Sequence, residues 1–594
     1  MSHKSENCKR LKKRIHKIRG LNDLSAFRES PATLLMLFPA SRSDSDAVNS
    51  HKVFEEIAKF CEHTNEESTI CILTSAPDAA RLLPYLTKCL RYQLWIAIKT
   101  KAESDVSEFG QLSQKHAALL VLTRYKASLR HTLTRIAYTF CPACGKTTKD
   151  YGGKKHIYNP FGTLLSDVWR DIECDPATDT SAIEERLQDM FGLSPYEHLE
   201  ILDLRECSDL QQKKTIPELH DDSLPLFCAQ TKIPSESKLI NDDCLKALSS
   251  IPESSVDFCF ADPPYNIQKK YDHWNDALEM QEYFAWCDSW LSELARVLKP
   301  GRTLAVINIP LWAVRHYQHL SKTLQFQSWI AWDGLSLPVR MIMPSHYAIV
   351  CFSKGEPRPL PGLNSDFLST TEGKKSLPMA EFFCVRQSCL ASRNRIPSSD
   401  RAKFSDLWYD IHRIKHNSRR VDHPCQLPPA LMRRLFSLYS KPGETVLDCF
   451  DGAGTSTLVA HQMNRKFIGI ELSAQYHKIA QERHEMIARG DDPFGKRDSV
   501  PQAKNSRVNR LPKQKYVVSK KTLQLEVRQI ARKLGRLPTH ADVKSMSKFP
   551  IDYFDNYFFS WGEVCAAARH EGMSELPNHA NIEKQEPELF QLVS

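Results

Sequence analysis

The chain has 594 residues and a formal net charge of +9, with 41% hydrophobic and 25% charged residues. A chain of this length and apolar content can bury large cores, and we expect it to divide into three or four domains. The basic balance suits a polyanionic partner. No apolar run is long enough to span a bilayer, and the N-terminal residues lack a signal-peptide pattern. These features argue against a membrane-embedded or secreted protein and predict a cytoplasmic one.

Residues 1–25 are predicted to form a basic tail, because lysine and arginine outnumber apolar residues there. A Cys-x-x-Cys pair follows later in the first half, at Cys141 and Cys144. This is the spacing of a zinc-ligand pair, but no second pair follows at zinc-finger spacing. Two interpretations stay open, a structural zinc site and a turn with free thiols.

The next loop combines lysines with aromatic residues. Lys154 and Lys155 lie between Tyr151 and Tyr158. This pattern suits contact with the phosphates of a nucleic acid, and the alternative is an ordinary solvated loop. We therefore treat Lys154 and Lys155 as candidate phosphate contacts.

The most informative motif is Asp262-Pro263-Pro264-Tyr265, which follows the apolar run 256–261. This tetrapeptide resembles the one with which amino-methyltransferases hold the exocyclic amine of a flipped nucleobase. The lone pair of such an amine is delocalised into the ring, so the amine needs hydrogen-bond acceptors before it can attack a methyl group. Asp262 and the carbonyl of Pro263 can be those acceptors. The prolines make the backbone rigid, and the Tyr265 ring can stack on a base that has left the duplex.

A second succession of elements, typical of nucleoside-cofactor sites, lies far downstream. Residues 445–450 read as a buried strand, a glycine-containing turn and a helix follow, and the strand 467–470 ends in an acid that can hold ribose hydroxyls. Glycines in the turn let the backbone approach a ligand. The candidate cofactor-binding residues here are Asp448, Phe450, Gly452, Gly454, Thr455 and Glu471.

Together these segments resemble the S-adenosylmethionine-dependent DNA amino-methyltransferases. The catalytic tetrapeptide precedes the cofactor loop in the chain. This order of motifs resembles the permuted, beta class of that family. The resemblance covers residues 239–486 and includes the segments 239–245, 294–301 and 423–428. It implies a Rossmann-like α/β fold, S-adenosylmethionine as cofactor, duplex DNA as partner and Asp243 close to the cofactor adenine. The resemblance also implies that Asp262 and Pro263 orient the amine.

Some residues depart from the family pattern. Leu427 stands where the family commonly has lysine, and Cys449 and Asp451 stand where proline and cysteine are common. The aspartate that opens the tetrapeptide favours adenine N6 as the methyl acceptor. Two alternatives stay open, transfer to cytosine N4 and a non-catalytic DNA-binding protein that keeps the fold. The resemblance also implies a DNA-modification role in which a restriction endonuclease is the partner.

Short segments of the first half parallel the second half in the same order. Trp95-Ile-Ala-Ile parallels Trp329-Ile-Ala-Trp, and Ser166-Asp-Val-Trp parallels Ser405-Asp-Leu-Trp. Residues 34–40 fall opposite 256–263, but the acid and the tyrosine are missing there. We therefore predict a degenerate methyltransferase-like copy in the first half, which packs on the second as an internal pseudo-dimer. Coincidence among short motifs is the alternative.

The composition changes after residue 490. Residues 491–521 read as a basic linker, and 522–573 as a small helical domain that resembles the repeat associated with homing endonucleases. In this domain, Thr539 is predicted to begin a helix with Asp542 at its third position. Lys533 and Arg536 are the candidate phosphate contacts.

The sequence thus predicts a DNA adenine-N6 methyltransferase that flips its target base. The predicted parts are a basic tail (1–25), a degenerate half (26–230), the catalytic domain (236–490), the linker (491–521), the helical domain (522–573) and a C-terminal tail (574–594). The fold class is α/β, with a Rossmann-like methyltransferase fold of permuted motif order.

Overall fold

The chain forms two compact units in a computed structural model, Met1–Pro501 with Phe590–Ser594, and Gln502–Leu589. The residues that the structure describes are 13–27, 33–39, 47–101, 110–125, 127–132, 134–138, 140–141, 146–147, 163–193, 197–210, 237–267, 276–334, 342, 344–363, 369, 373, 377, 402–411, 413–414, 426–495, 518, 520–558 and 561–569. No helix in these ranges is both long and apolar enough to cross a membrane.

The first half of the larger unit is an α/β layer structure. Its elements are β1 (Lys13–Lys17), a 3-10 helix (Leu21–Phe27), β2 (Thr33–Leu37), α1 (Ala47–Glu62), β3 (Thr69–Thr74), α2 (Ala76–Leu86), β4 (Leu90–Thr100), β5 (His116–Arg124), β6 (Arg135–Ile136), β7 (Phe140–Cys141), β8 (Lys146–Thr147), β9 (Thr163–Leu164), β10 (Val168–Cys174), α3 (Ser181–Phe191) and β11 (Leu199–Asp203). The described strands of its main sheet run in the order β1-β11-β2-β3-β5-β4-β10.

The predicted basic tail is wrong over its described part, because residues 13–17 form an edge strand. This strand, β1, pairs in parallel with β11. Lys13 Nζ lies 2.6 Å from the buried carboxylate of Glu184, and His16 Nε2 lies 2.8 Å from that of Glu200. Basic residues therefore occur in β1 because they face buried acids of the first half.

The second half holds a larger sheet with helices on both faces. Its elements are β12 (Lys238–Ile240), α4 (Cys244–Ser249), β13 (Val256–Ala261), α5 (Met280–Val297), β14 (Leu298–Asn308), α6 (Pro310–Leu320), β15 (Gln325–Asp333), β16 (His346–Ser353), a 3-10 turn (Pro361–Leu363), β17 (Leu407–Trp408), α7 (Pro429–Tyr439), β18 (Thr445–Asp448), α8 (Thr455–Gln462), β19 (Lys466–Ile470) and α9 (Ala474–Ala488). The described strands run in the order β12-β19-β18-β13-β14-β16-β15-β17.

The central strands of this sheet are parallel and covered on both faces. Every residue of β13 and β18 is buried, which explains why both read as continuous apolar runs rather than alternating ones. Among the strands that the structure describes in this sheet, only β16 runs antiparallel to its neighbours, β14 and β15. The predicted α/β fold class is therefore confirmed for this half.

The two main sheets agree strand by strand in their described order. β11, β2, β3, β5, β4 and β10 stand in the same succession as β18, β13, β14, β16, β15 and β17. The antiparallel strand, β5 or β16, occupies the same place in each. Beyond β11, the first half has β1 at the position that β19 occupies beside β18. This order supports the predicted internal duplication.

The smaller unit contains short helices around its own core. The described elements are α10 (Lys520–Leu534), α11 (His540–Met546), α12 (Ile551–Tyr557), α13 (Trp561–Val564) and α14 (Ala566–Arg569). Thr539 and Asp542 form the predicted capping box of α11. The last two helices, α13 and α14, are short and are separated at Cys565, whose Sγ lies 3.7 Å from the carbonyl oxygen of Pro538.

Candidate active site

The two predicted loops meet because the strands that carry them are neighbours. β13 and β18 are parallel, and Phe260 of β13 lies beside Asp448 of β18 in the register. Their carboxyl ends therefore reach the same edge of the sheet, which is where ligands bind in open α/β sheets. Asp262 follows β13. The segment between β18 and α8, which contains Gly452 and Gly454 and is called the glycine loop below, follows β18, so both open into one cavity.

The Asp-Pro-Pro-Tyr loop is held by hydrogen bonds from the helices behind it. Tyr283 Oη donates to the carbonyl of Pro264 at 2.8 Å, and Trp312 Nε1 donates to the carbonyl of Tyr265 at 2.9 Å. The Tyr265 hydroxyl donates to Asp262 Oδ1 at 2.9 Å. The aspartate is therefore positioned by its own motif as well as by the fold.

A sharp turn ends this loop. Asn266 has a φ of 54°, a left-handed conformation that asparagine tolerates better than most residues. Its backbone N–H donates to Asp276 Oδ1 at 2.7 Å, and its side chain exchanges hydrogen bonds with the backbone of Leu278. These bonds fix the direction in which the chain leaves the site.

The glycine loop and Glu471 are joined directly. Gly452 has a φ of 55°, and its N–H donates to Glu471 Oε2 at 2.9 Å. The other carboxylate oxygen accepts from the N–H of Ser473 at 2.7 Å. The acid at the end of β19 is thus oriented at the cavity edge, where ribose hydroxyls were predicted to bind.

Gly454 has a different role from the predicted contact with the cofactor. It does not line the cavity. Its φ is 83°, and a Cβ there would lie 2.9 Å from the Cβ of Ala480 in α9. Gly454 is required for the turn into α8 and for close helix packing.

Two buried carboxylates, Asp448 and Asp451, lie under the glycine loop. Asp448 accepts from the N–H of Phe450 at 2.9 Å and from the Ser456 hydroxyl. Asp451 accepts from the Thr457 hydroxyl at 2.9 Å, and its Oδ1 lies 3.0 Å from Ser456 Oγ. Burial, with the neighbouring Asp451 carboxylate, raises the pKa of Asp448 well above its ordinary value. Burial raises the pKa of Asp451 to about 7, although the Thr457 and Ser456 hydroxyls beside the carboxylate oppose this rise.

Asp243 lies at the cavity and also begins α4. Its carboxylate accepts from the N–H groups of Leu245 and Lys246, at 3.0 and 3.2 Å. This N-cap fixes the side chain at the wall predicted to face the cofactor adenine.

The cavity collects most of the predicted site residues. Those that line it are Asp243, Asp262, Pro263, Pro264, Tyr265, Asp448, Phe450, Gly452, Thr455 and Glu471. Further lining residues that sequence reasoning missed are Trp286, Trp332, Tyr347, Arg413, Gln426 and Tyr476.

Tyr347 is the most informative of the missed residues. Its ring centroid lies 6.4 Å from that of Tyr265 and 5.4 Å from that of Trp332. Arg413 lies over the Tyr347 ring and donates to its hydroxyl at 2.7 Å. The only sequence signal was its place in the segment His346-Tyr-Ala-Ile, which parallels His116-Ala-Ala-Leu of the first half.

The predicted zinc and loop contacts lie largely outside the described residues. Cys144, Lys154 and Lys155 are not among them, while Cys141 ends β7, which pairs with β8 in a short hairpin. Within the described ranges, no group of three or more potential metal ligands is present. The zinc site stays a prediction.

The phosphate contact at Arg536 stays a prediction, and the structure gives this residue a structural role as well. Its guanidinium donates to both carboxylate oxygens of Asp542, at 2.7 and 3.1 Å, and to the carbonyl of Leu537. The arginine is therefore part of the helix cap of α11. Lys533, at the exposed end of α10, is still a candidate phosphate contact.

Comparison with known proteins agrees with this geometry. Residues 256–482 match the DNA methylase family of N6 and N4 methyltransferases. The chain is 30% identical over 292 residues to the type II methyltransferase M.BamHI of Bacillus amyloliquefaciens, covering 48% of this chain and 64% of that protein. It is 30% identical over 259 residues to the DNA adenine methyltransferase YhdJ of Escherichia coli K12, covering 43% and 85%.

Among solved structures, the cytosine-N4-specific PvuII DNA methyltransferase is 20% identical, with a TM-score of 0.30, over 42% of this chain and 86% of that one. The chain spans slightly less than two thirds of M.BamHI, but most of the E. coli relative. The matched residues include the Asp-Pro-Pro-Tyr loop, the glycine loop and Glu471. The chain belongs to the N6/N4 DNA methylase family.

Proposed function

We propose that this protein transfers a methyl group from S-adenosylmethionine to the exocyclic N6 amine of adenine in duplex DNA. The observation that carries the proposal is that Asp262 and the glycine loop line one cavity, although 190 or so residues separate them in the chain. The target base has to leave the duplex to reach such a cavity. The permuted, beta-class assignment forms part of this proposal.

The residues at the glycine loop fit S-adenosylmethionine. Gly452 lets the backbone come close to a ligand, and Glu471 offers carboxylate oxygens at the position for ribose hydroxyls. Phe450 and Trp286, whose ring centroids are 5.6 Å apart, add aromatic surface for a purine. Carboxylates at the cavity also suit the positive charge of the sulfonium. When bound, this cofactor supplies the methyl group.

The catalytic loop provides the acceptors that the amine needs. Asp262 and the carbonyl of Pro263 draw the amine protons out of the plane of the base, so that the nitrogen lone pair can point at the methyl group. The Tyr265 ring stacks on the base while its hydroxyl holds Asp262. Rigid positioning of two reactants supplies most of the acceleration, and Asp262 or water takes the proton late.

Two observations support adenine as the acceptor. The tetrapeptide opens with Asp262, where relatives that modify cytosine more often have serine. The E. coli relative is named a DNA adenine methyltransferase. The type II methyltransferase from B. amyloliquefaciens supports a restriction-modification setting, in which a cognate endonuclease cuts unmethylated DNA.

DNA contact outside the cavity is proposed for three basic groups. Lys154 and Lys155 lie in the first half, and Lys533 in the helical unit. The first half would then grip the duplex, while the helical unit adds sequence-independent affinity. Such contacts weaken as salt rises, because they release counterions from the phosphates.

The direct test is methyl transfer from labelled S-adenosylmethionine to mixed-sequence duplex DNA, followed by digestion and nucleoside analysis. We expect N6-methyladenine from the wild type and none from Asp262→Ala. N4-methylcytosine would keep the mechanism and change the base. Cofactor binding without any incorporation would contradict the proposal and favour a non-catalytic DNA-binding protein.

A further inference from the structure

The two halves meet around a pseudo-twofold axis at which equivalent residues touch each other. Trp95 of β4 stacks on Trp329 of β15, with ring centroids 4.7 Å apart and planes 3° from parallel. Each tryptophan follows a register irregularity at the same place, between Tyr92 and Leu94 or between Phe326 and Ser328. A residue can contact its own equivalent only close to a twofold axis, so the halves are arranged like the subunits of a symmetric dimer.

The segments beside these tryptophans have matching internal hydrogen bonds. The N–H of Val168 points to Ser166 Oγ, and the indole N–H of Trp169 donates to the Ser166 carbonyl at 2.9 Å. In the second half, Trp408 donates in the same way to Ser405 at 2.7 Å. The two copies of this segment therefore have the same local structure.

Each copy sends an aspartate across the axis to the opposite half. Asp167 Oδ1 accepts from the N–H groups of Ser345 and His346, at 2.8 and 3.0 Å. On the other side, Asp406 Oδ1 accepts from the N–H of Lys115 at 2.7 Å, and its Oδ2 lies 3.0 Å from His116 Nδ1. The two aspartates thus hold the beginnings of the equivalent strands β16 and β5.

The two aspartates support different structures, because the Asp-Pro-Pro-Tyr loop and the cavity that it lines belong to the second half. Asp167 belongs to the first half, yet it holds the residues immediately before Tyr347, which lines that cavity. The residues that Asp406 holds begin β5, whose half has Phe38-Pro39-Ala40 where the second half has Ala261-Asp262-Pro263.

Asp167 can hold the backbone in one place because the residue is buried, with only 8% of its surface exposed. Burial raises its pKa to about 7, opposed by the hydrogen bonds from Ser345 and His346. Removing the side chain would leave two buried N–H groups at the start of β16 without their acceptor, which is costly. The strand start would then lose its position relative to the cavity.

We propose that the first half acts as a built-in second subunit. In this proposal, Asp167 is a positioning residue that holds Tyr347 in the wall of the cavity where the target base would bind beside Asp262. This rests on the proposed methyltransferase function. The first half thus contributes to target binding without a catalytic loop of its own.

The chain offers a matched pair of variants. Asp167→Ala removes the bond that supports the cavity wall, and Asp406→Ala removes its equivalent on the other side of the axis. Asp167→Asn keeps an acceptor oxygen and serves as the conservative variant. If Asp167→Ala does not fold, Asp167→Ser, which keeps a polar group, replaces it. All variants are made in the full chain.

Two readouts separate positioning from general damage. Hydrogen exchange measured by mass spectrometry should speed up at 344–353 in Asp167→Ala, and at 113–120 in Asp406→Ala. In methyl transfer to mixed-sequence duplex DNA, Asp167→Ala should lower kcat/KM for DNA by roughly 10- to 100-fold, while Asp406→Ala and Asp167→Asn stay within about 3-fold of wild type. Affinity for S-adenosylmethionine should be unchanged in all of them.

Equal losses of activity in Asp167→Ala and Asp406→Ala would overturn the proposal, since they would show only a shared structural role. Unchanged exchange at 344–353 in Asp167→Ala would also overturn it. If the wild type transfers no methyl group, the proposed function fails, and the exchange pattern still decides whether Asp167 positions the start of β16.

Discussion

Asp451 is a buried acid in the loop between β18 and α8, and its surroundings explain how the chain tolerates an acid there. Gly469 of β19 lies against it, and a Cβ at that glycine would be 2.5 Å from Asp451 Oδ2. Thr457 holds the carboxylate and in turn lies 3.1 Å from His484 Nε2. The departure from the family pattern at residue 451 is therefore accommodated by specific neighbours.

We expect Asp451→Asn to change the pH dependence of stability. The carboxyl titrates near pH 4 in the unfolded chain, whereas burial raises its pKa to about 7 in the folded protein. Between these values the unfolded state has lost the proton that the folded state keeps, so the free energy of unfolding falls as pH rises from about 4 to about 7. The variant should gain roughly 2–4 kcal/mol relative to wild type over this range, measured by urea unfolding.

Asp257→Asn provides a control, because the pKa of Asp257 is shifted in the opposite direction from that of Asp451. Burial opposes the charged form of Asp257, but hydrogen bonds from Lys299 and from the N–H of Thr445 outweigh it and lower the pKa of this carboxyl. Its contribution is present at neutral pH and lost as pH falls below about 4. If the free energy of unfolding changes with pH in the same way in wild type and in Asp451→Asn, the assignment of a raised pKa to Asp451 is refuted.

At the residue scale, the sequence predicted the groups that follow strongly patterned strands. Asp262 and Glu471 were found because each comes after a largely apolar run, and Asp448 because it lies in a predicted buried strand. Tyr347 and Arg413 were not predicted, since they reach the cavity from separate segments whose convergence depends on strand order. Gly454 was assigned to the cofactor because a glycine required for packing looks the same in sequence as one required for a ligand.

Among the elements, α11 shows that residues of a domain predicted to bind DNA can have a structural role. Thr539 and Asp542 cap this helix, and Arg536 binds the same carboxylate. The Arg536 guanidinium holds the pKa of Asp542 well below its usual range. Arg536 and Thr539 therefore stabilise the turn between α10 and α11.

Variants of Arg536 and Lys533 should accordingly affect different properties. Arg536→Ala should reduce the stability of the helical unit, since the cap of α11 loses a supporting hydrogen-bond donor. Hydrogen exchange across 520–569 in the full chain measures this. Lys533→Ala should leave exchange unchanged and weaken DNA binding, with a smaller salt dependence in fluorescence anisotropy. A weaker DNA affinity for Arg536→Ala, without faster exchange, would support its predicted role as a phosphate contact.

β1 shows why one element of the fold escaped prediction. Its sequence, Lys-Arg-Ile-His-Lys, has a single apolar residue, and Ile15 is exposed. The strand forms because β11, nearly 190 residues later, offers an open edge, and because the acids at 184 and 200 face its basic side chains. Local sequence carries no sign of such distant partners. In contrast, β13, β18 and β19 were predicted from their own apolar runs.

For the whole molecule, the pseudo-twofold interface has a consequence for assembly. The surface around Trp95 and Trp329 is used within one chain, so it is not available for pairing with a second copy. We expect the protein to sediment as a single chain across micromolar concentrations, with and without S-adenosylmethionine. A dimer that dissociates on dilution would contradict this expectation, and Trp95→Ala tests whether opening the interface creates one.

We expect Asp262 to act on the methyl acceptor and not on cofactor binding. In single-turnover methyl transfer to duplex DNA at saturating S-adenosylmethionine, Asp262→Asn should be slower than wild type by roughly 100-fold or more, with cofactor affinity within about 3-fold of wild type. A variant that transfers methyl groups as fast as wild type, or one whose lower rate follows entirely from lost cofactor affinity, would contradict it.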